Sequence, residues 1–240
     1  MNTPDAKKEL APSGTLRVGL NYGNFLLVLK DAPGGSPRGI APDLGRELGR
    51  RLGVPIEFVK FKQAGQLADG VRDDKCDVGF LGAEPQRADE IAFTPAYLEI
   101  PVTFLVPAGS PLRALADVDR EGVRIAVSAR SAYDLYLSRT LKHARLERVE
   151  GIDASYELFV KNSLHALAGL KPRLVSDAEK LPGSRVLDGQ VTGVQQAAGT
   201  KKTRAAGARY LSDFIDDIKR SGLVAKTIAR HGVRGVKVAP

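Results

Sequence analysis

Apolar residues along the chain recur with two alternating periods. Leu16 to Leu20 (LRVGL) is a short apolar-rich run that stops at the polar loop Asn21-Tyr22-Gly23-Asn24, a pattern that predicts a strand. Gly34-Gly35-Ser36-Pro37 marks a turn. Pro42-Asp43 then opens a stretch in which Leu44, Leu48 and Leu52 repeat every four residues. That spacing predicts a helix, closed by Gly53, with Asp43 helping to satisfy the free N–H groups of its first turn. Val54 to Phe61 (VPIEFVKF) alternates as a strand does, Gln66 to Asp74 is expected to be helical, and the apolar run Val78 to Leu81 supplies the next strand, ending at Gly82. The order β-α-β-α-β favours an open α/β sheet wound by right-handed crossovers.

Thr103 to Val106 (TFLV) predicts a strand, and Pro107, Gly109 and Pro111 interrupt the pattern after it. The alternation then restarts with a strand over Val123 to Val127 and a helix over Ser131 to Leu141, whose apolar positions are Tyr133, Leu137 and Leu141. A strand at 146–149, a helix at 155–160 and strands at 164–170, 184–187 and 191–195 follow. A long amphipathic helix at 203–220 presents Tyr210, Leu211, Phe214, Ile215 and Ile218, and a short helix covers 223–231. Two α/β alternations of similar size, broken near residue 100, imply two lobes. No fixed-period repeat is present, which excludes a solenoid.

Composition narrows the class. With 240 residues, 43% of them hydrophobic and 27% charged, the chain can bury a core. Having 8 Phe, 6 Tyr and no Trp, that core is aliphatic. The formal charge of +8 permits an anionic ligand, a membrane surface or nucleic acid. The basic residues are spread among acidic ones, however, and no basic helix with interleaved aromatics supports nucleic-acid binding. The single cysteine, Cys76, excludes an internal disulfide and a cysteine-rich metal site, and beside Val78 it reads as a small buried filler. No apolar run approaches the ~20 residues that span a bilayer, so no membrane insertion is expected. The leading segment MNTPDAKKELAPSG has no hydrophobic signal region. Two locations stay open: periplasmic after removal of an export signal, or cytoplasmic.

The chemistry concentrates after the strand at 78–81. A strand stopping at glycine exposes backbone N–H groups, and Arg87 a few residues on adds a planar, permanently charged donor fork suited to a carboxylate or phosphate. An arginine in a loop can equally be a solvated or structurally paired side chain. There is no His/Cys metal spacing, no G-x-S-x-G elbow and no GxxxxGK phosphate loop, so no catalytic residue, cofactor or metal is expected. His143 and His231 lie on expected helix surfaces or ends, His231 as a helix C-terminal cation.

Read together, GTLRVGLNYGNF (14–25), RGIAPDLGRELGRRLG (38–53), CDVGFLGAEPQRADEIAFTPAY (76–97), LVPAGSPL (105–112), VRIAVSARSAYDLYLSR (123–139) and the closing segment from Val194 to Lys226 resemble, in collinear order over nearly the whole chain, the extracellular solute-binding proteins of the polar amino-acid family, family 3. That resemblance implies a two-lobed type II periplasmic-binding-protein fold of class α/β, each lobe an open sheet flanked by helices. Lobe 1 would comprise 14–97 and 197–240, lobe 2 101–191, and the hinge strands 98–100 and 192–196, with 1–13 a flexible lead. It further implies a monomer that binds a small carboxylate-bearing ligand in an interlobe cleft and passes it to the permease of an ABC transporter.

The family's carboxylate-binding arginine maps onto Arg87, and its second-lobe partner, the turn at a helix start, onto Arg130-Ser131-Ala132. A helix start favours an anion. Ser131 can add a hydroxyl to the ligand, cap its own helix, or both. Asn21, Tyr22, Asn24 and Gly82 fall where the family contacts its ligand. This chain departs from the pattern in lobe 2, where the run LHALAGL places His165 at the position of the family's ammonium-binding aspartate. A histidine cannot replace a fixed anionic acceptor. The cradle before the arginine becomes Gly82-Ala83-Glu84-Pro85, and Arg130 stands where glycine is common. Glu84 is then either a substitute acceptor or a solvated loop glutamate, and His165 either a ligand contact or a satisfied half-buried histidine. The expected ligand is a carboxylate whose ammonium, if present, is not held in the usual way. The alternative activity on this scaffold is that of cyclohexadienyl dehydratases, carbon–oxygen lyases, with Glu84 or His165 as acid or base.

Overall fold

The structure is a computed structural model that describes residues 3–29 and 35–240. The turn expected at 34–37 therefore begins at a residue outside those described. Contacts divide the chain into two compact units, Met1–Glu99 with Gln195–Pro240 and Ile100–Val194, called here unit 1 and unit 2. The chain leaves unit 1 within one strand and returns to it within another.

Unit 1 contains α1 (Thr3–Leu10), β1 (Leu16–Asn21), α2 (Ile40–Leu52), β2 (Ile56–Phe61), α3 (Ala64–Arg72), β3 (Val78–Gly82), β4 (Ile91–Phe93) and the start of β5 (Leu98–Val106). Unit 2 continues with β6 (Arg124–Ser128), α4 (Ala132–Thr140), β7 (Arg145–Val149), α5 (Ile152–Lys161), β8 (Ala166–Leu170), α6 (Lys171–Ala178) and β9 (Arg185–Val186). The return strand is β10 (Thr192–Lys201), followed in unit 1 by α7 (Ala205–Arg220), α8 (Leu223–Arg230) and β11 (Lys237–Val238).

In unit 1 the strand order is β2-β1-β3-β10, with β1, β2 and β3 parallel and β10 antiparallel to β3. Helices cover both faces, and the alternation of β2 decides which residue meets which helix. Ile56 and Phe58 point at Gly49 and Gly45 of α2, while Val59 and Phe61 pack with Leu67, Ala68, Val71 and Cys76 on the α3 side. Unit 2 repeats the scheme as β5-β8-β6-β7, with β6, β7 and β8 parallel and β5 antiparallel to β8. Its core includes Leu105, Ala126, Phe159, Leu167 and Leu174. The α/β class expected from the alternation is the class observed.

Cys76 is the buried filler it was expected to be, and burial pushes its thiol up to about 12. The expectation of a flexible lead is corrected: α1 is a helix whose Ala6 and Leu10 are fully buried. Leu10 lies where a side chain on Gly207 would have to go, and Glu9 accepts the Gly207 N–H at 2.8 Å near the start of α7. The helix α6 was not anticipated either, because Leu174 is the one large apolar residue of KPRLVSDA that is buried.

Asp43 does not cap α2. The helix begins three residues earlier, at Ile40, and its N-cap is Gly39, whose φ of 125° and lack of a Cβ let Leu27 O approach to 2.5 Å of where that Cβ would stand. Asp43 instead binds Arg46 at 3.2 Å and, across unit 1, Arg230 at 3.3 Å and the His231 Nε2 at 2.8 Å. His231 does stand at a helix end, as the C-cap of α8, but it is half-buried and its ring is held by Asp43. Gly39→Ala meets both a forbidden φ and backbone, and is expected to cost roughly 1–3 kcal/mol, read as a lowered urea midpoint.

Glu47 joins α2 to α7 through arginine: it binds Arg50 at 2.8 Å and Arg51 at 2.7 Å, and Arg51 reaches Asp217 at 2.7 Å. The Arg50 hydrogen bond, opposed by burial and reinforced by Arg51, holds the Glu47 carboxyl down at about 2. A depressed folded-state value contributes stability above the ordinary carboxylate range, which is lost as pH falls toward 2. Thermal unfolding between pH 5 and 2 is therefore expected to show a shallower acid slope in Glu47→Gln than in the parent.

Candidate functional site

Open α/β sheets bind ligands at the carboxyl ends of their strands. In unit 1 those ends belong to β1, β2 and β3, which run parallel and so share one edge. Asn21 ends β1, and its Oδ1 accepts the Gly23 N–H at 3.1 Å. The Tyr22 N–H donates to Phe61 O at 2.9 Å, tying the loop to the end of β2. Asn24 is buried, and its Oδ1 accepts the Leu26 N–H at 3.2 Å. Both asparagines thus shape the loop. Above the Tyr22 ring lies the ammonium of Lys60, 4.8 Å from the centroid.

β3 stops at Gly82, and the Ala83 N–H donates to Gln195 O at 2.8 Å. Pro85 then starts a short 3-10 turn, Pro85–Arg87, with the Arg87 N–H on Glu84 O at 2.9 Å. Arg87 is buried, with 7% of its surface exposed, and its Nη1 donates to Gly82 O at 2.6 Å. A turn this short brings the side chain back onto the end of its own strand. The bond orients a fixed cationic fork at the strand-end edge. Glu84 is half-buried in the same turn. Unit 1 therefore brings Asn21, Tyr22, Asn24, Gly82, Glu84 and Arg87 to one edge, and adds Lys60, which sequence reasoning missed. Its signal was available in the alternation of β2, which puts Lys60 next to last in the strand.

In unit 2 the corresponding edge follows β6. Ser131 is the cap of α4: its Oγ accepts the Asp134 N–H at 3.1 Å. Asp134, buried in the first turn, accepts the Arg130 N–H at 2.8 Å and binds the Arg148 Nε at 2.9 Å. Helix geometry leaves the N–H groups of Ala132 and Tyr133 directed off the helix start. Arg130 is exposed and holds a left-handed φ of 57°, a conformation that explains why glycine suits this position. Burial pushes the Tyr133 phenol up to about 12, with the Ser131 and Ser128 hydroxyls acting the other way, although neither meets hydrogen-bond geometry with it.

His165 does not join this edge. β8 begins at Ala166, opposite Ile125 of parallel β6, so His165 stands beside Arg124 at the beginning of the strands. Its Nδ1 accepts the Arg124 N–H at 3.0 Å, its own N–H donates to Arg124 O at 3.0 Å, and the residue is exposed. Ser131 follows the opposite end of β6, roughly 13 Å further along at the ordinary rise of a strand. The expectation that His165 takes the place of an ammonium-binding carboxylate is therefore corrected. At the proper end of β8 stand Leu170, buried, and Lys171, half-buried with its Nζ 3.3 Å from Gly189 O. The strand's own length was the missed signal: five residues counted from Ala166 reach Leu170, and Lys-Pro then opens a helix.

Two α/β units connected through two strands, each with a polar strand-end edge, define the class of type II periplasmic binding proteins. Residues 16–233 match the family model of the bacterial extracellular solute-binding proteins, family 3, and the chain belongs to that family. Among solved structures it is similar to a solute receptor for L-cysteine of Neisseria gonorrhoeae, with a TM-score of 0.80 and 19% identity over 96% of this chain and 95% of that one. A mutant of ArgBP from T. maritima matches with a TM-score of 0.77 and 20% identity, covering 94% and 98%. The ancestral amino acid-binding protein AncCDT-1, a precursor of cyclohexadienyl dehydratase, matches with 0.75 and 21%, covering 93% and 98%. At these identities the likeness is one of fold.

Proposed function

We propose that this protein captures a small carboxylate-bearing solute, an amino acid or related organic acid, and delivers it outside the cytoplasm to the permease of an ABC importer. Arg87 takes the carboxylate at the strand-end edge of unit 1; at unit 2's own edge the start of α4, with Ser131 and the N–H of Ala132, is suited to an anion. The observation that carries this is the placement of Arg87: a buried guanidinium fixed by Gly82 O at the strand-end edge of a solute-binding fold. Family membership supports the delivery role. Among the described residues no helix is long and apolar enough to cross a membrane. Calorimetry of the purified protein against amino and organic acids, parent beside Arg87→Met, tests the assignment. Elimination chemistry of the dehydratase kind draws no support from His165, which lies away from unit 2's strand-end edge.

A further inference from the structure

Resting on the reading that the strand-end edge of unit 2 takes an anion, we infer that Tyr133 makes this edge specific for a carboxylate. Its phenol and the hydroxyls of Ser128 and Ser131 form a donor cradle at the start of α4, which a carboxylate fills and a carboxamide does not. The turn leading into the helix gathers the three groups. The Ser131 N–H donates to Ser128 O at 3.2 Å, with Arg130 left-handed at a φ of 57°, so the chain doubles back on the end of β6. Ser128 and Ser131 are both buried. Helical side chains lean toward the N-terminus of their helix. Tyr133, the second residue of α4, is thereby carried back toward the two serines.

Burial and hydrogen bonding single out the phenol. Tyr133 is 3% exposed, and its hydroxyl finds no hydrogen-bond partner among the described residues. Buried polar atoms are nearly always paired, because an unmade bond in the interior leaves the desolvation of that group uncompensated. Both serine hydroxyls act on the phenol and so lie beside it, but the Ser131 Oγ is turned to the Asp134 N–H at 3.1 Å. The charged groups nearby are engaged elsewhere. Asp134 accepts the Arg130 N–H at 2.8 Å and Arg148 Nε at 2.9 Å, and Arg173 is held by Asp153 at 2.7 Å and Asp177 at 2.8 Å. Burial holds the phenol up at about 12, so at neutral pH it keeps its proton and is a donor. Beside it stand the first N–H groups of α4, which are donors only. A carboxylate offers acceptors on both oxygens and a charge for the helix dipole. A carboxamide carries no charge and sets N–H groups against N–H groups.

The test is calorimetry and thermal unfolding of the full chain with L-arginine, L-glutamine and L-lactate, each beside its primary amide, on the parent, Tyr133→Phe and Arg87→Met. Any of these acids that the parent binds is expected to be weakened about tenfold by Tyr133→Phe, as loss of one hydrogen bond to a charged group does. Its preference over its own amide is expected to fall by a similar factor. Phenylalanine keeps the ring and removes only the unpaired hydroxyl, so the unfolding temperature of unliganded Tyr133→Phe is expected to equal or exceed the parent's. An acid-over-amide preference left intact by Tyr133→Phe, whatever happens to the unfolding temperature, would make the phenol a structural group and overturn the inference. Loss of binding in Arg87→Met would still leave the carboxylate grip of unit 1 standing in that case. Binding of none of the acids, or tighter binding of the amides by the parent, would overturn both.

Discussion

Arg87→Met is expected to weaken binding of the cognate acid by thirtyfold to several thousandfold, the effect of about 2–5 kcal/mol lost when one partner of a buried charge pair is truncated. Methionine keeps an unbranched stem of similar reach, so the packing around residue 87 changes little. The donation to Gly82 O at 2.6 Å disappears, and stability is expected to fall by about 1 kcal/mol, the net worth of such a bond. Arg87→Lys separates charge from shape: an ammonium keeps the charge but cannot both hold Gly82 O and present a planar fork, so binding is expected between the two extremes. Titration calorimetry reads the affinities, and urea unfolding of the same preparations separates them from stability. A parent-like affinity in Arg87→Met would remove Arg87 from the site.

Asp77→Ala is expected to be the most destabilising single substitution considered, at about 3–5 kcal/mol. The Asp77 side chain is fully buried. Its Oδ2 accepts the Arg17 N–H at 2.9 Å and Arg17 Nε at 3.0 Å, and its Oδ1 accepts Arg17 Nη2 at 2.7 Å and Arg204 Nη1 at 2.9 Å. Its carbonyl accepts the Thr200 hydroxyl at 2.8 Å. Asp74 binds the same Arg204 at 2.8 Å and also Lys201. One carboxylate therefore ties β1, the entry of β3 and the start of α7. Alanine leaves two half-buried guanidinium groups without it, Arg17 keeping only Asp74 O and Arg204 only Asp74 among the described residues, and stranding such charges costs more than the pair itself stabilises. The urea midpoint of the full-length chain measures the loss. Combining Asp77→Ala with Arg17→Met should recover part of it, since the double variant removes a stranded charge. An unchanged midpoint in Asp77→Ala would show that the network is decorative.

Helix α2 and strand β3 were legible from local pattern because everything that defines them lies inside the segment: leucines every four residues, a left-handed Gly53 at the end, an apolar run closed by Gly82. Helices α1 and α6 and strand β11 were not, because their stabilising surfaces are distant in sequence. Leu10 of α1 needs Gly207, Leu174 of α6 fills the space above Gly169, and β11 exists by pairing with Leu98 and Glu99 of β5. Asp43 illustrates the limit of capping rules. It had the right chemistry for a first turn, yet Gly39 is the N-cap, and two of Asp43's partners lie 187 and 188 residues away. Candidates in unit 1 fell on one edge because each follows a strand whose end was marked by glycine or asparagine. His165 failed for want of the starting residue of β8, which pairing with β6 decides.

Periodicity, turn residues and the position of an arginine just past a strand were sufficient to establish two α/β units and a donor fork at the end of β3, since these depend on neighbours within one turn or one loop. Which acid each cation meets, which end of β8 holds a histidine, and that Lys60 lies over Tyr22 were decided by tertiary structure. Charge partnerships and strand register follow from proximity in space, and a linear pattern of residue types does not specify that proximity.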